Sequence, residues 1–443
     1  MSKSSFDLLI RNGEVVTPAG VVRTDIGVAE GKIAALESGL AGGAREIVDA
    51  TGLHVFPGVI DAHVHFNEPG RADWEGIETG SAAVAAGGGT MFFDMPLNAH
   101  PPTLDAASLR LKQTAAAAKS FVDFALWGGL TPGNLDQMPE LAEGGVIGFK
   151  AFMCPSGIDD FDHADERTLR EGMKRASALR RIVAVHAESE SRIVLGAGTG
   201  IRDFLNSRPI KAELEAIRLA LEIAGETGCA LHVVHVSSAA GARLVADAKA
   251  RGVNATCETC PHYLVLTDED VERLGAVAKC APPLRSRAES ENLWRAVLGG
   301  EITTIGSDHS PAPPEMKTAA DFFKVWGGIS GAQHLLALLA TRGLEPEMIA
   351  QLTSGNVAKR FGLPENKGRI ATGCDADLAI IDLGAEFEVK RDDLLYRHRQ
   401  SPYVGRRLRG ATRRTLVRGQ TVFKDGRITG TPSGRLIHPA PSC

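Results

Sequence analysis

His63 and His65 stand two residues apart at the end of the apolar run Gly58-Val-Ile-Asp-Ala-His-Val-His-Phe66. Side chains two apart on a strand project from the same face, so both imidazoles can reach one metal ion. A strand this apolar reads as buried, and a buried strand carries polar groups where they find partners. Four further residues repeat the pattern of a chemical group set in, or just after, an apolar stretch. Lys150 lies in Val146-Ile-Gly-Phe-Lys-Ala-Phe152, and His186 follows Ile182-Val-Ala-Val185. His235 lies in Leu231-His-Val-Val-His-Val236, and Asp308 follows Thr303-Thr-Ile-Gly-Ser307.

Four imidazoles, a carboxylate and a lysine exceed what one tetrahedral zinc takes. They suit two divalent ions about 3.5–4 Å apart with a shared bridge. Zinc is the expected metal, and manganese and cobalt accept the same ligands. An ammonium group repels cations, so Lys150 joins the set only if CO2 converts its amine to a carbamate, which is anionic and offers two bridging oxygens. Burial lowers a lysine pKa and frees the neutral amine that this reaction needs. The plainer reading of Lys150 is a snorkelling or ion-paired lysine. Asp308 can bind one metal through one oxygen and act as general base toward a metal-bound water through the other. His309 and His262 read as either supporting or structural histidines, and His232, out of phase with His235, as core. Cys257 and Cys260 have the spacing of a redox or zinc pair, but no second pair accompanies them and they read as packing residues.

These groups need a frame. Eight strand candidates occur near 55–65, 90–96, 121–127, 146–152, 182–187, 230–236, 253–258 and 302–307, with helical stretches between most of them, clearest at Ala212 to Gly225 and Ala239 to Ala250. Strands alternating with helices argue for a parallel sheet. Eight units over about 300 residues argue that the sheet closes into a (β/α)8 TIM-like barrel, in which catalytic groups gather at the carboxyl ends of the strands. All six candidates fall there. A doubly wound open sheet is the alternative. The first 50 or so residues instead alternate apolar and polar residues around Asn12-Gly13 and Glu30-Gly31 turns, as in a β-meander. The pattern returns in Ala376 to Asp382 and Arg414 to Phe423. The expected organisation is a composite β-sandwich domain from 1–53 and 370–443 around a barrel spanning 54–369.

Composition sets the class. The chain has 443 residues, 44% hydrophobic and 23% charged, with a net charge of −5. Those proportions are ordinary for a soluble α/β enzyme. No long basic run invites nucleic acid, and no stretch of about 18 apolar residues invites a membrane. The beginning of the chain lacks the apolar core of a signal peptide, and seven sparse cysteines fit reduced thiols. The expectation is a cytoplasmic protein.

Six segments carry a resemblance: His63-Val-His-Phe-Asn-Glu-Pro-Gly70, Ala86-Gly-Gly-Gly-Thr90 with Asp94-Met-Pro-Leu-Asn98, Gly148-Phe-Lys-Ala-Phe-Met153, Cys257-Glu-Thr-Cys-Pro-His-Tyr263, Lys279-Cys-Ala-Pro-Pro-Leu-Arg285 and Gly306-Ser-Asp-His-Ser-Pro311. Over essentially the whole chain it resembles the cyclic-amidohydrolase branch of the amidohydrolase superfamily (dihydroorotases, hydantoinases, allantoinases), and within it most closely the allantoinases. The resemblance implies binuclear metal ligands at His63, His65, Lys150 as carbamate, His186, His235 and Asp308, with Asp308 also catalytic. It implies hydrolytic ring opening of a small cyclic ureide, allantoin to allantoate in purine breakdown, by a homo-oligomer, commonly a tetramer. Two departures bear on substrate. Where dihydroorotases hold a carboxylate with arginine, this chain has Asn67, and where they place a histidine four residues after the strand-eight aspartate, it has Ala312. Both argue against an anionic ring. Asn67 and Asn98 suit a neutral ring rich in N–H and C=O groups, with backbone around Cys280 to Pro282 and Gly328 to Ser330 expected to read it. A hydantoinase, dihydropyrimidinase or dihydroorotase on the same site is the rival reading, and a non-catalytic assembly module the remote one.

Overall fold

The computed structural model describes residues 6–440 except 195 and 197. Eight parallel strands form the barrel: β1 (Val59–Val64), β2 (Gly89–Asp94), β3 (Asp123–Leu126), β4 (Gly148–Phe152), β5 (Ile182–His186), β6 (Leu231–Val233), β7 (Ala255–Thr259) and β8 (Thr304–Ile305). One ladder joins β1, β2 and β3, and another runs from Gly128–Gly129, the continuation of β3, through β4 to β8. The ring closes where Val64 bridges His309 and the His65 N–H donates to the His309 carbonyl at 2.8 Å. The strands are buried along their whole length, as continuous apolar runs covered on both faces must be.

Several boundaries differ from the sequence expectation, each for a local reason. The run at 55–65 is two strands. His54–Pro57 belongs to the terminal sheet, and the chain breaks at Gly58, where a Cβ would collide with the Thr90 side chain. The sixth strand stops at Val233, so His235 lies beyond it, at a positive φ of 40° that a ladder would not tolerate. The eighth ladder spans two residues. The helix expected over 212–225 runs Ile210–Thr227, from Pro209 to a left-handed Gly228 at φ 66°. The helix Ala239–Ala250 forms as expected, its first turn capped by Ser238.

Both ends of the chain supply one nine-stranded sheet. Its long strand Phe6–Thr17 forks, pairing with Ala44–Asp49 along its first half and with His54–Pro57 along its second. His54–Pro57 in turn joins Leu378–Glu388, tying the two ends together. Leu8, Ile10, Val15, Ile26, Leu378 and Leu416 belong to a separate buried cluster there. Glu30 and Gly31 turn at φ 52° and 78° as a two-residue hairpin loop requires. Asn12-Gly13 does not turn. It is an irregularity inside the long strand, with left-handed Asn12 (φ 61°) donating its N–H to Asp25.

A buried ionic staple joins this sheet to the barrel. Lys367 Nζ lies 2.7 Å from Asp123 at the start of β3, 3.0 Å from Asp375 and 2.6 Å from Asp377. Removing one partner strands the others in low dielectric, so Lys367→Met is expected to cost about 3–5 kcal/mol. Thermal unfolding measures it, and an unchanged midpoint would show that Arg418, which also pairs with Asp123, compensates. The six cysteines among the described residues are free and buried. Cys443 lies outside them. No described helix is long and apolar enough to cross a membrane.

Candidate metal centre

The six expected groups converge at the carboxyl mouth of the barrel. Asp308 Oδ1 lies 3.2 Å from His63 Nε2 and 3.4 Å from His65 Nε2. His186 Nδ1 and His235 Nε2 are 3.1 Å apart. The His63 and His235 rings, 5.4 Å between centroids, join the two groups. Lys150 is wholly buried in β4, and its Nζ has no hydrogen-bond partner among the described residues. Burial brings it down to about 8, and its charge helps to lower His65, His186 and His235. Desolvation favours a protonated Asp308, yet His63, His65 and His235 hold it well below the usual carboxylate range.

Buried carboxylates behind the histidines decide which ring nitrogen faces the centre. His63 Nδ1 meets Glu258 at 2.8 Å, and His186 Nε2 meets Glu188 at 2.8 Å. Arg208 pairs with Glu188 at 2.5 Å. Against desolvation, Arg208 and His186 hold Glu188 at about 2, and His63 and His232 hold Glu258 at about 2. A neutral imidazole that donates one N–H to a carboxylate turns its other lone pair the opposite way. His63 Nε2 then faces the Asp308 oxygen, and His186 Nδ1 faces His235 Nε2. At His63 and Asp308 two acceptors meet, which fits a cation between them, and His186 turns its lone pair toward His235 beside them, so the donor set present suits two metal ions. His63, His65 and Asp308 bring their ligand atoms within 4.8 Å of one another.

The surrounding loops are pinned in the shapes this needs. Asp61 Oδ1 accepts the Ser307 N–H at 2.9 Å, fixing the turn that presents Asp308. Asp94 accepts the Phe66 N–H at 2.8 Å and is itself held by Lys112 at 2.8 Å. Asn67, Asn98, His235 and Asp308 all have left-handed backbone, at φ 64°, 67°, 40° and 46°. Such conformations are strained for non-glycine residues and persist where surrounding structure enforces them.

A cavity of about 410 Å³ opens over these groups. Asn98 and Cys280 line it, and Asn98 Nδ2 lies 3.4 Å from His65 Nδ1. Asn67 and Pro282 are not among its lining residues. Asn67 is buried and donates to the Pro311 carbonyl at 3.3 Å, and the Pro282 carbonyl accepts from Tyr263 at 2.7 Å. On the rim, Lys279 donates to the carbonyls of Phe322, Phe323 and Val325, and Lys317 to those of Trp326 and Gly328. His309 accepts the Gly331 N–H beside the mouth, while buried His232 bonds Thr256 in the barrel interior. His262 is buried with neither ring nitrogen partnered among the described residues.

The amidohydrolase family model matches residues 54–422. The chain belongs to the amidohydrolase family. Its sequence is 54% identical to an allantoinase of Rubrobacter xylanophilus, covering 98% of both chains. It is 53% identical to an allantoinase of Deinococcus radiodurans over 98% of this chain and 99% of that one. Among solved structures, an L-hydantoinase (dihydropyrimidinase) from Arthrobacter aurescens superposes with a TM-score of 0.95 at 34% identity, covering 98% of this amidohydrolase and all of that chain.

Glu188, Glu258 and Arg208 escaped the sequence reading, although Glu258 on a strand between Cys257 and Thr259 carried the same signal as the histidines. Removing a carboxylate that orients a ligand histidine weakens metal binding about 10–100-fold. Glu188→Gln is expected to lose affinity for one of two ions by that factor, measured by competition with a chromogenic chelator. Unchanged affinity for both would detach Glu188 from the centre.

Proposed function

We propose that this amidohydrolase hydrolyses the ring amide of allantoin to give allantoate, a step of purine nitrogen recovery. The observation that carries the reading is the convergence of four histidines, an unpartnered buried lysine and an aspartate under one cavity. Relatives 43–54% identical over nearly the whole chain bear the name allantoinase, which favours this ring over the simpler ones. We assign His63 and His65 to one divalent ion, His186 and His235 to the other, and Lys150, as its carbamate, and Asp308 to completing the set. Zinc is our first choice of metal. Two such ions lower the pKa of water and polarise a carbonyl.

The chain's own residues do the rest. Asp308, held ionised by its histidine neighbours, takes a proton from the attacking water on its second carboxylate oxygen and returns it to the departing ring nitrogen. Asn98 and the Cys280 segment orient the ring from the cavity wall. Asn67 and Pro282 act at one remove, by fixing the loops that end at Pro311 and Tyr263. We extend the proposal to a cytoplasmic protein that assembles as a homotetramer; light scattering on the purified protein tests the tetramer.

Purified, metal-loaded protein offered allantoin, dihydroorotate, dihydrouracil and hydantoin side by side tests the reading. Allantoate from allantoin alone is the expected result. Turnover of dihydrouracil or hydantoin instead would keep the centre and transfer the substrate to the hydantoinase class.

A further inference from the structure

One wall of the cavity over the metal centre is a single run of chain, for every residue from 323 to 328 lines it. Two lysines grip this run. Lys279 Nζ donates to the carbonyls of Phe322 at 2.6 Å, Phe323 at 3.2 Å and Val325 at 2.5 Å. Lys317 Nζ donates to those of Ala276 at 3.3 Å, Trp326 at 2.9 Å and Gly328 at 2.8 Å. Main-chain bonds close the clamp. The Gly328 N–H donates to the Lys279 carbonyl at 2.7 Å, and the Trp326 N–H to the Met316 carbonyl at 2.9 Å.

An ammonium group has three N–H donors and no acceptor. Both lysines direct all three at main-chain carbonyls, and five of those six carbonyls belong to 322–328. Charge-assisted bonds are stronger than neutral ones, so each nitrogen fixes several peptide planes from one point. Burial lowers Lys279 to about 8 and Lys317 to about 7. Carbonyl oxygens bonded to each nitrogen favour its charged form against that cost. The held run continues into the loop of Asp308, because Ile329 bridges His309 and its carbonyl accepts the Ser310 N–H at 3.0 Å. A wall whose peptide groups are fixed in advance binds more tightly, since the ordering is not charged to the ligand.

We propose that Lys279 and Lys317 are positioning residues, which hold 322–328 as a preformed wall of the substrate cavity and set substrate affinity through it. This deepens the reading of the cavity as a cyclic-ureide site and rests on that reading. The lysine nitrogens are engaged by carbonyls, so they act on the ring through the wall, and proton transfer at Asp308 does not pass through them.

Two measurements on metal-loaded Lys279→Met and Lys317→Met test the clamp. The first is steady-state kinetics with whichever of allantoin or hydantoin the unaltered protein turns over. KM should rise at least about tenfold while kcat stays within about threefold, with the metal content unchanged. The second is tryptic cleavage after Lys324, whose side chain is 78% exposed, followed by mass spectrometry without substrate. Release of the wall should speed that cut at least about tenfold, while cuts elsewhere in the chain keep their rates. Where one variant fails to fold, the other decides. The proposal is overturned if either KM or the rate of cutting after Lys324 stays at the parent's value, or if the loss falls on kcat instead. Cleavage that speeds equally throughout the chain overturns it as well, by making the lysines ordinary stabilising residues. An unaltered protein inert toward every ring would strike the proposed function, and the cut after Lys324 alone would then decide whether the lysines hold the wall.

Discussion

Lys150→Ala is expected to remove metal and activity together, lowering kcat/KM by at least about 10³-fold, or roughly 4 kcal/mol of transition-state stabilisation. The argument rests on where the lysine sits. Its Nζ is fully buried and unpartnered among the described residues, beside histidines whose own protonation its charge opposes. As a free ammonium it would be a liability in that place. As a carbamate it becomes a second anion beside Asp308, lowering the net charge of two divalent ions otherwise held by neutral imidazoles. Metal analysis should therefore show fewer than two ions per chain in the variant. Lys150→Arg, which keeps a charge and cannot form the carbamate, should fail in the same way. Reconstitution of the parent in CO2-depleted buffer should be slow and be restored by bicarbonate. A Lys150→Ala protein that holds two metals and turns over at the parent's rate would sink the assignment.

Asp308→Asn is expected to lower kcat by about 10³–10⁴-fold, toward the upper end of what a positioned proton carrier contributes. Asparagine keeps the size of the side chain and an oxygen for one ion, so metal content should fall less than in Lys150→Ala. What it cannot do is accept a proton from water and hand it to the leaving nitrogen. KM should move little, since the substrate is read by the cavity wall, and a loss confined to kcat marks an interaction made in the transition state. Steady-state kinetics with the metal content measured on the same sample separates the two causes. A large rise in KM with kcat preserved would make Asp308 a binding group instead.

The six groups at the mouth were legible because each is a polar residue within an apolar strand or just past its end, and a barrel has one end at which such residues meet. That both chain ends join in one β-domain followed from the return of the same alternation near the carboxyl end. What escaped notice has physical reasons. Asn12-Gly13 has the composition of a hairpin turn, and only the long partner strand, with Asp25 waiting for the Asn12 N–H, converts it to a bulge. His235 and Asp308 sit past their strands in left-handed conformations that no local pattern announces. Glu188 and Arg208 are 20 residues apart, and their contact depends on how the loop after β5 returns over the barrel.

The forked terminal sheet sets a timetable for biosynthesis. The strand at His54–Pro57 finds its partner in Leu378–Glu388, made roughly 320 residues later, which at ribosomal speeds of about 5–20 residues per second is a delay of roughly 15–60 s. Throughout that interval the nascent amino-terminal strands present an open, apolar edge, the surface that seeds wrong pairings between neighbouring chains. Slower transcription, cooler growth or extra chaperone should therefore raise the yield of folded protein.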